Sequence, residues 1–283
     1  MKFANKNWLY SFSEIPATLN EASCEKVANR LHARYSKLAK NWSAELNTEW
    51  LCRSYLAAKL IMQATLTVNS MEYAKSKNLR VTVPYLRYNS ILSLTRALIL
   101  TLPEHDWKEG GLLEIGHTRA IEQAADYISK FDRNVSEIFL DNALIMKASR
   151  ELISYRAPSS GDNMLTDIES FLSLSSLIAE LCQFNSELLE ASITKHAERS
   201  AFSLKIDSLS KLSNIEVGDQ VIGDPEDAYR LGYFARKHPG MTNIYSMMRE
   251  GHVDDYFGAW CSETENLGDF DPDEEKNIIF DIP

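Results

Sequence analysis

The segment YNSILSLTRALILTLPE, residues 88 to 104, carries one guanidinium, Arg96, in the middle of an apolar run. Tyr85, Asn89, Ser93 and Arg96 are spaced four, four and three apart, which puts them on one stripe of a helix. Leu86, Ile91, Leu94, Leu98 and Leu102 form the opposing band, widened by Leu92, Ile99 and Leu100, so the helix is expected to be largely buried. A guanidinium in such a helix needs partners. Either it meets a carboxylate, with Glu114, Glu122, Asp126, Asp141 and Glu151 as candidates, or its stripe faces a groove that binds an anion or another chain.

Lys26, Arg30, Arg34, Lys37 and Lys40 give an earlier helix a cationic face. Arg30, Arg34 and Lys37 lie near one another at helical spacing with Tyr35 alongside. Such a face either contacts phosphates or is simply solvated. Glu114 and His117 stand three apart, as in di-iron bundles, but those need a second such pair and two more carboxylates. The sequence has no second Glu-x-x-His, so no metal is expected. A phosphate-binding glycine loop, GxSxG and HExxH are also missing, and no cofactor is expected. REGHVDDYFGAW, residues 249 to 260, clusters His252, Asp254 and Asp255 beside aromatic residues and reads as a helix end with a solvated turn. Cys24, Cys52, Cys182 and Cys261 are scattered, as befits reduced, mostly buried thiols in a cytoplasm.

The elements that must position these groups read as helices. The apolar fraction of 45% and charged fraction of 25% are those of a globular chain, and no run approaches the ~18 apolar residues that cross a bilayer. The N-terminal stretch lacks the pattern of a secretory signal. Helical periodicity predicts helices over about Asn20 to Asn41, Thr48 to Lys77, Pro84 to Pro103, Gly111 to Phe131, Val135 to Tyr155 and Thr166 to Glu198. The last opens on Thr166 and Glu169 in the spacing of a capping box. After Ser200 the pattern suits strand or helix equally. Asp224-Pro225 with Glu226 and Asp227 reads as a helix start and KHPG, residues 237 to 240, as a stop. The acidic end, residues 262 to 283, is expected to be mostly mobile, with NIIF as the part able to dock. Charge divides unevenly. Residues 1 to 100 hold 14 Lys/Arg and 6 Asp/Glu, and the remainder hold 16 and 34. Asymmetry of this kind suits an anion-binding face on one side and an acidic cover or partner site on the other, or two solvated faces.

YNSILSLTRALIL followed by GHTRAIEQAADYI resembles HEPN domains, the higher eukaryote and prokaryote nucleotide-binding family. Tyr88, Arg96, Ala97, Leu98 and His117 match by type, and the resemblance covers about residues 48 to 157. It implies an all-α antiparallel bundle, a homodimer with the polar groove at its seam, and a setting in bacterial defence or a toxin–antitoxin system. Members that cleave RNA use an arginine with a histidine four to six residues further on. No histidine here has an arginine at that distance, and after Arg156 the matching place holds Gly161. The resemblance therefore implies a catalytic set of Arg96, His117 and Arg156, with Arg150 beside them. Histidine would take the 2′-hydroxyl proton, and the arginines would stabilise the phosphorane.

The expected architecture is an all-α antiparallel bundle with an additional long helix and an irregular acidic C-terminal region. Its parts are an N-terminal segment with the basic helix (1–47), the bundle core (48–200) and the acidic region (201–283). The expected function is a degenerate, non-catalytic HEPN-like protein that mediates RNA or protein interaction, with a metal-independent endoribonuclease as the alternative. Tyr85, Asn89, Ser93, Arg150, Arg30, Arg34 and Lys37 are the expected binding residues. RNA, a protein recruited by the acidic region and a second copy are the expected partners, with no membrane.

Overall fold

The computed structural model describes residues 2–163, 165, 168–205, 212, 214–237, 240–249, 252–262 and 268–283. These form ten α-helices, a few turns of 3-10 helix and two short hairpins. The all-α class expected from the periodicity is the class observed. No helix among them is long and apolar enough to cross a membrane.

After a small hairpin, β1 (Lys2–Phe3) and β2 (Lys6–Asn7), come a short α1 (Glu14–Thr18) and α2 (Glu21–Ala39). The Asn20 side chain caps α2 by accepting from the amides of Ala22 and Ser23. Ser43 caps α3 (Ala44–Ser76), which is buried around most of its circumference. Asn78, at φ +56°, turns the chain back into α4 (Val83–Leu100), with Pro84 in its first turn. The two pack antiparallel. The helix expected over 111 to 131 is split: Lys108–Glu114 is a 3-10 turn, Gly116 breaks the run, and α5 (His117–Ile128) begins there. Asp132 caps α6 (Arg133–Arg156), which Ala157 ends in the left-handed region. The last bundle helix, α7 (Phe171–His196), is buried over nearly its whole length. Its described start follows Ser170, and Thr166 of the expected capping box lies outside the described residues.

The helices meet at the end of α4. Tyr35 Oη of α2 donates to the Thr101 carbonyl (2.5 Å), Asn185 Nδ2 of α7 to Thr101 Oγ1 (2.9 Å), and Tyr127 Oη of α5 to Asn185 Oδ1 (2.5 Å). Arg53 of α3, only 2% exposed, completes the junction. Its Nε donates to the Leu100 carbonyl (2.7 Å), one terminal nitrogen to Leu102 (2.6 Å), and the other to His105 (3.0 Å) and to Glu49 Oε1 (3.0 Å). Trp50 lies flat below it, 4.0 Å from the guanidinium carbon. Arg53 thus satisfies the last carbonyl of α4, that of Leu100, and two carbonyls of the turn that follows, those of Leu102 and His105.

Carboxylates on α7 order the N-terminal segment. Buried Glu180 accepts from the amides of Ser13 (2.8 Å), Glu14 (3.0 Å) and Ile15 (2.8 Å), and Glu187 accepts from those of Leu9 (2.8 Å) and Tyr10 (3.0 Å). Glu180→Ala would strand three amides near the start of α1, and a stability loss of about 2 kcal/mol is expected in urea unfolding. A loss under a few tenths of a kcal/mol would show that water replaces the carboxylate.

The C-terminal region is more ordered than its composition suggests. The ambiguous stretch after Ser200 contains the hairpin β3 (Asn214–Val217) and β4 (Gln220–Gly223), then α8 (Pro225–Lys237), α9 (Ile244–Met248) and α10 (His252–Gly258). Lys237 is the last residue of α8, and His238 and Pro239 of the stop signal lie outside the described residues. Asp227 of α8 is buried against α3, accepting from Tyr55 Oη (2.6 Å) and Lys59 Nζ (2.6 Å). The segment around His252 is not the solvated turn expected. His252 is buried and stacks on Tyr55 at 5.4 Å, because α10 turns its apolar side, Val253 and Phe257, into the core. Among the described residues the acidic tail is docked. Asn69 Nδ2 donates to the Pro272 carbonyl (3.1 Å), and Ile279, Phe280 and Ile282 are buried, Phe280 stacking on Tyr10 at 4.6 Å. NIIF docks because the aromatic cluster of Tyr10, Phe12 and Tyr245 offers it an apolar seat.

Candidate functional site

Three of the residues singled out in sequence converge. His117 is the first residue of α5, and the preceding Gly116 sets its place beside α4. Its Nδ1 lies 2.8 Å from Tyr88 Oη. Tyr88 is two turns before Arg96 on the same helix and fully buried. From α6, the Arg150 guanidinium carbon approaches the Tyr88 ring centroid to 5.2 Å, and its other side reaches exposed Tyr155, 3.5 Å from Nη1 to Oη. Lys147, one turn earlier, adds a third cation and donates to Thr118 Oγ1 (3.0 Å). Among the described residues the nearby carboxylate with an ion pair is Glu151, 3.5 Å from Lys147.

Burial holds the His117 imidazole below its ordinary 6.5, and the charges of Arg96, Arg150 and Lys147 lower it further against the pull of Glu151. It is therefore neutral at pH 7. Burial raises the Tyr88 phenol, against the pull of Arg150. The result is a neutral Tyr–His pair under an excess of positive charge, the electrostatic signature of an anion site.

Arg96 itself is half-buried, not enclosed. Its Nε is buried without a hydrogen-bond partner, and among the described residues no carboxylate forms an ion pair with it. Glu114, Glu122, Asp126 and Asp141 are exposed and Glu151 is taken by Lys147, so the internal ion pair considered from sequence is absent among them. The buried arginine of this fold is Arg53. Asn89 is exposed and Tyr85 and Ser93 are half-buried, so the stripe does face outward beside the patch.

The other candidates do not join. Arg156 is exposed at the end of α6, rotated about 120° around the axis from Arg150. Arg30, Arg34 and Lys37 are exposed on α2, where Arg34 pairs with Glu104 (3.0 Å); Tyr35 is core, not part of that face. Among the described residues no ion pair links the tail to these three. His105 is lowered chiefly by burial, and the cations acting on it are Arg53, Lys130 and Arg119 rather than Arg96. It lines a separate groove of about 860 Å³ with Glu49, Trp50 and Trp107. Among the described residues no group of three His, Cys, Asp or Glu side chains is placed to hold a metal.

Sequence reasoning left Lys147 and Tyr155 out of the site, named Glu151 only as a candidate partner of Arg96, and used Tyr88 only as a point of resemblance. The spacing of Lys147, Arg150 and Glu151 marks one face of α6, but nothing local says that this face meets α4. No protein-family model, curated protein or solved structure matches the chain.

Proposed function

We propose that the chain is a HEPN-like helical protein that binds RNA through the patch formed by Tyr88, Arg96, His117, Lys147 and Arg150. The observation that carries this reading is Arg96, without an ion pair among the described residues and with its Nε unbonded, beside Arg150 and neutral His117, three phosphate-binding groups from three helices. Tyr155, exposed and held against Arg150, offers a ring on which an unpaired base stacks. For the homodimer implied by the resemblance, the exposed pair Ile138 and Ile145, seven residues apart on one face of α6, is the face we assign to the second copy. Binding without cleavage is the first reading, because Arg156 stands apart and no histidine follows it at the family spacing.

Cleavage is the second reading, favoured by one observation: a neutral histidine lies beside two arginines. As a base, His117 must carry its proton on Nδ1, donated to Tyr88 Oη, leaving the Nε2 lone pair for a 2′-hydroxyl. In the other tautomer Nε2–H donates to a phosphate oxygen and the site only binds.

Titration of the full chain with tRNA and mixed RNA tests both. Arg96→Ala/Arg150→Ala is expected to weaken binding about 30-fold and to lower the salt slope by about 2, while Arg156→Ala changes it little. Affinity is expected to rise as pH falls below 7, because a bound phosphate raises the His117 pKa, and His117→Gln removes that rise. Equal affinity of the double variant removes the RNA reading. Products formed in the presence of a chelator, and lost in His117→Gln, replace binding by cleavage.

A further inference from the structure

The hairpin β3–β4 has no role in that site. Ile215 (68%), Val217, Val221 and Ile222 (63%) are all exposed there. Ile215 pairs across from Ile222, and Val217 from Gln220, so Ile215, Val217 and Ile222 share one face. Gly218 has φ +60° at the first central position of the Gly218–Asp219 turn, as a type II′ turn requires. With Val217 and Gln220 as the closing pair, the ladder alternates and the backbone groups of Asn214, Glu216, Val221 and Gly223 point outward along the two edges.

Among the described residues no further strand pairs with either edge of this hairpin. A two-stranded hairpin is marginal in water, and such edges accept another strand. Charge selects the occupant. The hairpin itself, residues 214 to 223, holds two acidic residues, Glu216 and Asp219, and no Lys or Arg. Edge pairing with a second copy would juxtapose two such segments, and the chain's own tail is acidic and docked elsewhere. A basic segment has the opposite sign, and in extended form its alternate side chains place apolar groups over Ile215 and Ile222 while its cations take the other face.

We propose that this hairpin is a docking edge for an extended basic segment of another protein, which joins it as a third strand. The proposal is independent of the RNA reading. The probe is a short peptide alternating Lys and Val, added to the full chain, with a Glu–Val peptide as control. Amide exchange at Asn214 and Glu216, or at Val221 and Gly223, is expected to slow about tenfold with the Lys–Val peptide only, and the effect weakens as salt rises. Ile215→Asp/Ile222→Asp is expected to abolish the protection while leaving helical circular dichroism unchanged, since both side chains are exposed. Unchanged exchange at millimolar Lys–Val peptide, or equal protection by both peptides, overturns the proposal. Self-association in sedimentation that the double substitution removes also overturns it, by making a second copy the occupant.

Discussion

Replacing Arg53 by leucine is expected to lower the unfolding free energy by about 3–5 kcal/mol in urea denaturation. The side chain is 2% exposed, and its donors are shared among the carbonyls of Leu100, Leu102 and His105 and the carboxylate of Glu49. A buried cation is retained only when its donors are satisfied, and here geometry satisfies them: a planar fork reaches from the last carbonyl of α4 across the turn that follows it. Leucine would leave three carbonyls without their donor and Glu49 without its partner, each unmet group costing about 1–3 kcal/mol before relaxation. Lysine would keep the charge but reach only part of the set, so Arg53→Lys is expected to recover less than half of the loss. The effect extends to the patch. Arg53 fixes the turn after Leu100, and the following connection delivers His117 to Tyr88, so the His117 ring signals should shift in the Arg53→Lys spectrum. A loss below about 1 kcal/mol for Arg53→Leu would mean that water or a rearranged turn takes over the carbonyls.

Stability is expected to rise as pH increases from about 4 to 6.5 because of His252. Burial, with Arg230 and Lys59 adding to it, holds this imidazole at about 4 against an ordinary 6.5. Every element packed around it contributes charge or polarity: Tyr55 and Lys59 from α3, Asp227 and Arg230 from α8, and Asp255 on α10, which pairs with Arg230. Its Nε2 is buried without a hydrogen-bond partner among the described residues, so a proton there meets no acceptor. Between the two pH values the unfolded chain binds the proton and the folded chain does not. The contribution is therefore complete above 6.5 and lost as pH falls toward 4, with a ceiling of roughly 3 kcal/mol. Urea titrations across this range should show the slope in the wild type and a flatter profile in His252→Phe, whose ring keeps the stack on Tyr55. A slope that survives the substitution would assign the titration to another group.

Local signals in the sequence carry the helices. Apolar residues at a 3.6 period mark α2 through α7, and Asn20, Ser43 and Asp132 cap three of them through bonds that span only two or three residues. The stripe from Tyr85 to Arg96 was equally legible, since a face of one helix depends on that helix alone. The role of its arginine was not. Arg53 and Arg96 both interrupt apolar helices, and α3 is buried on nearly all sides, so its pattern gives no preferred face from which to judge Arg53. Composition likewise suggested a mobile tail, although four apolar residues near its end suffice to seat it on Tyr10. What tertiary structure alone decided is which faces meet. Arg96, His117 and Arg150 belong to three helices, and their convergence depends on how α4, α5 and α6 pack. By itself the sequence determined the helices and the placing of each charge on its own helix, because those follow from contacts within one turn. The pairing of Arg53 with carbonyls some 50 residues away, and the lack of any such partner for Arg96 Nε among the described residues, followed only from packing across the core.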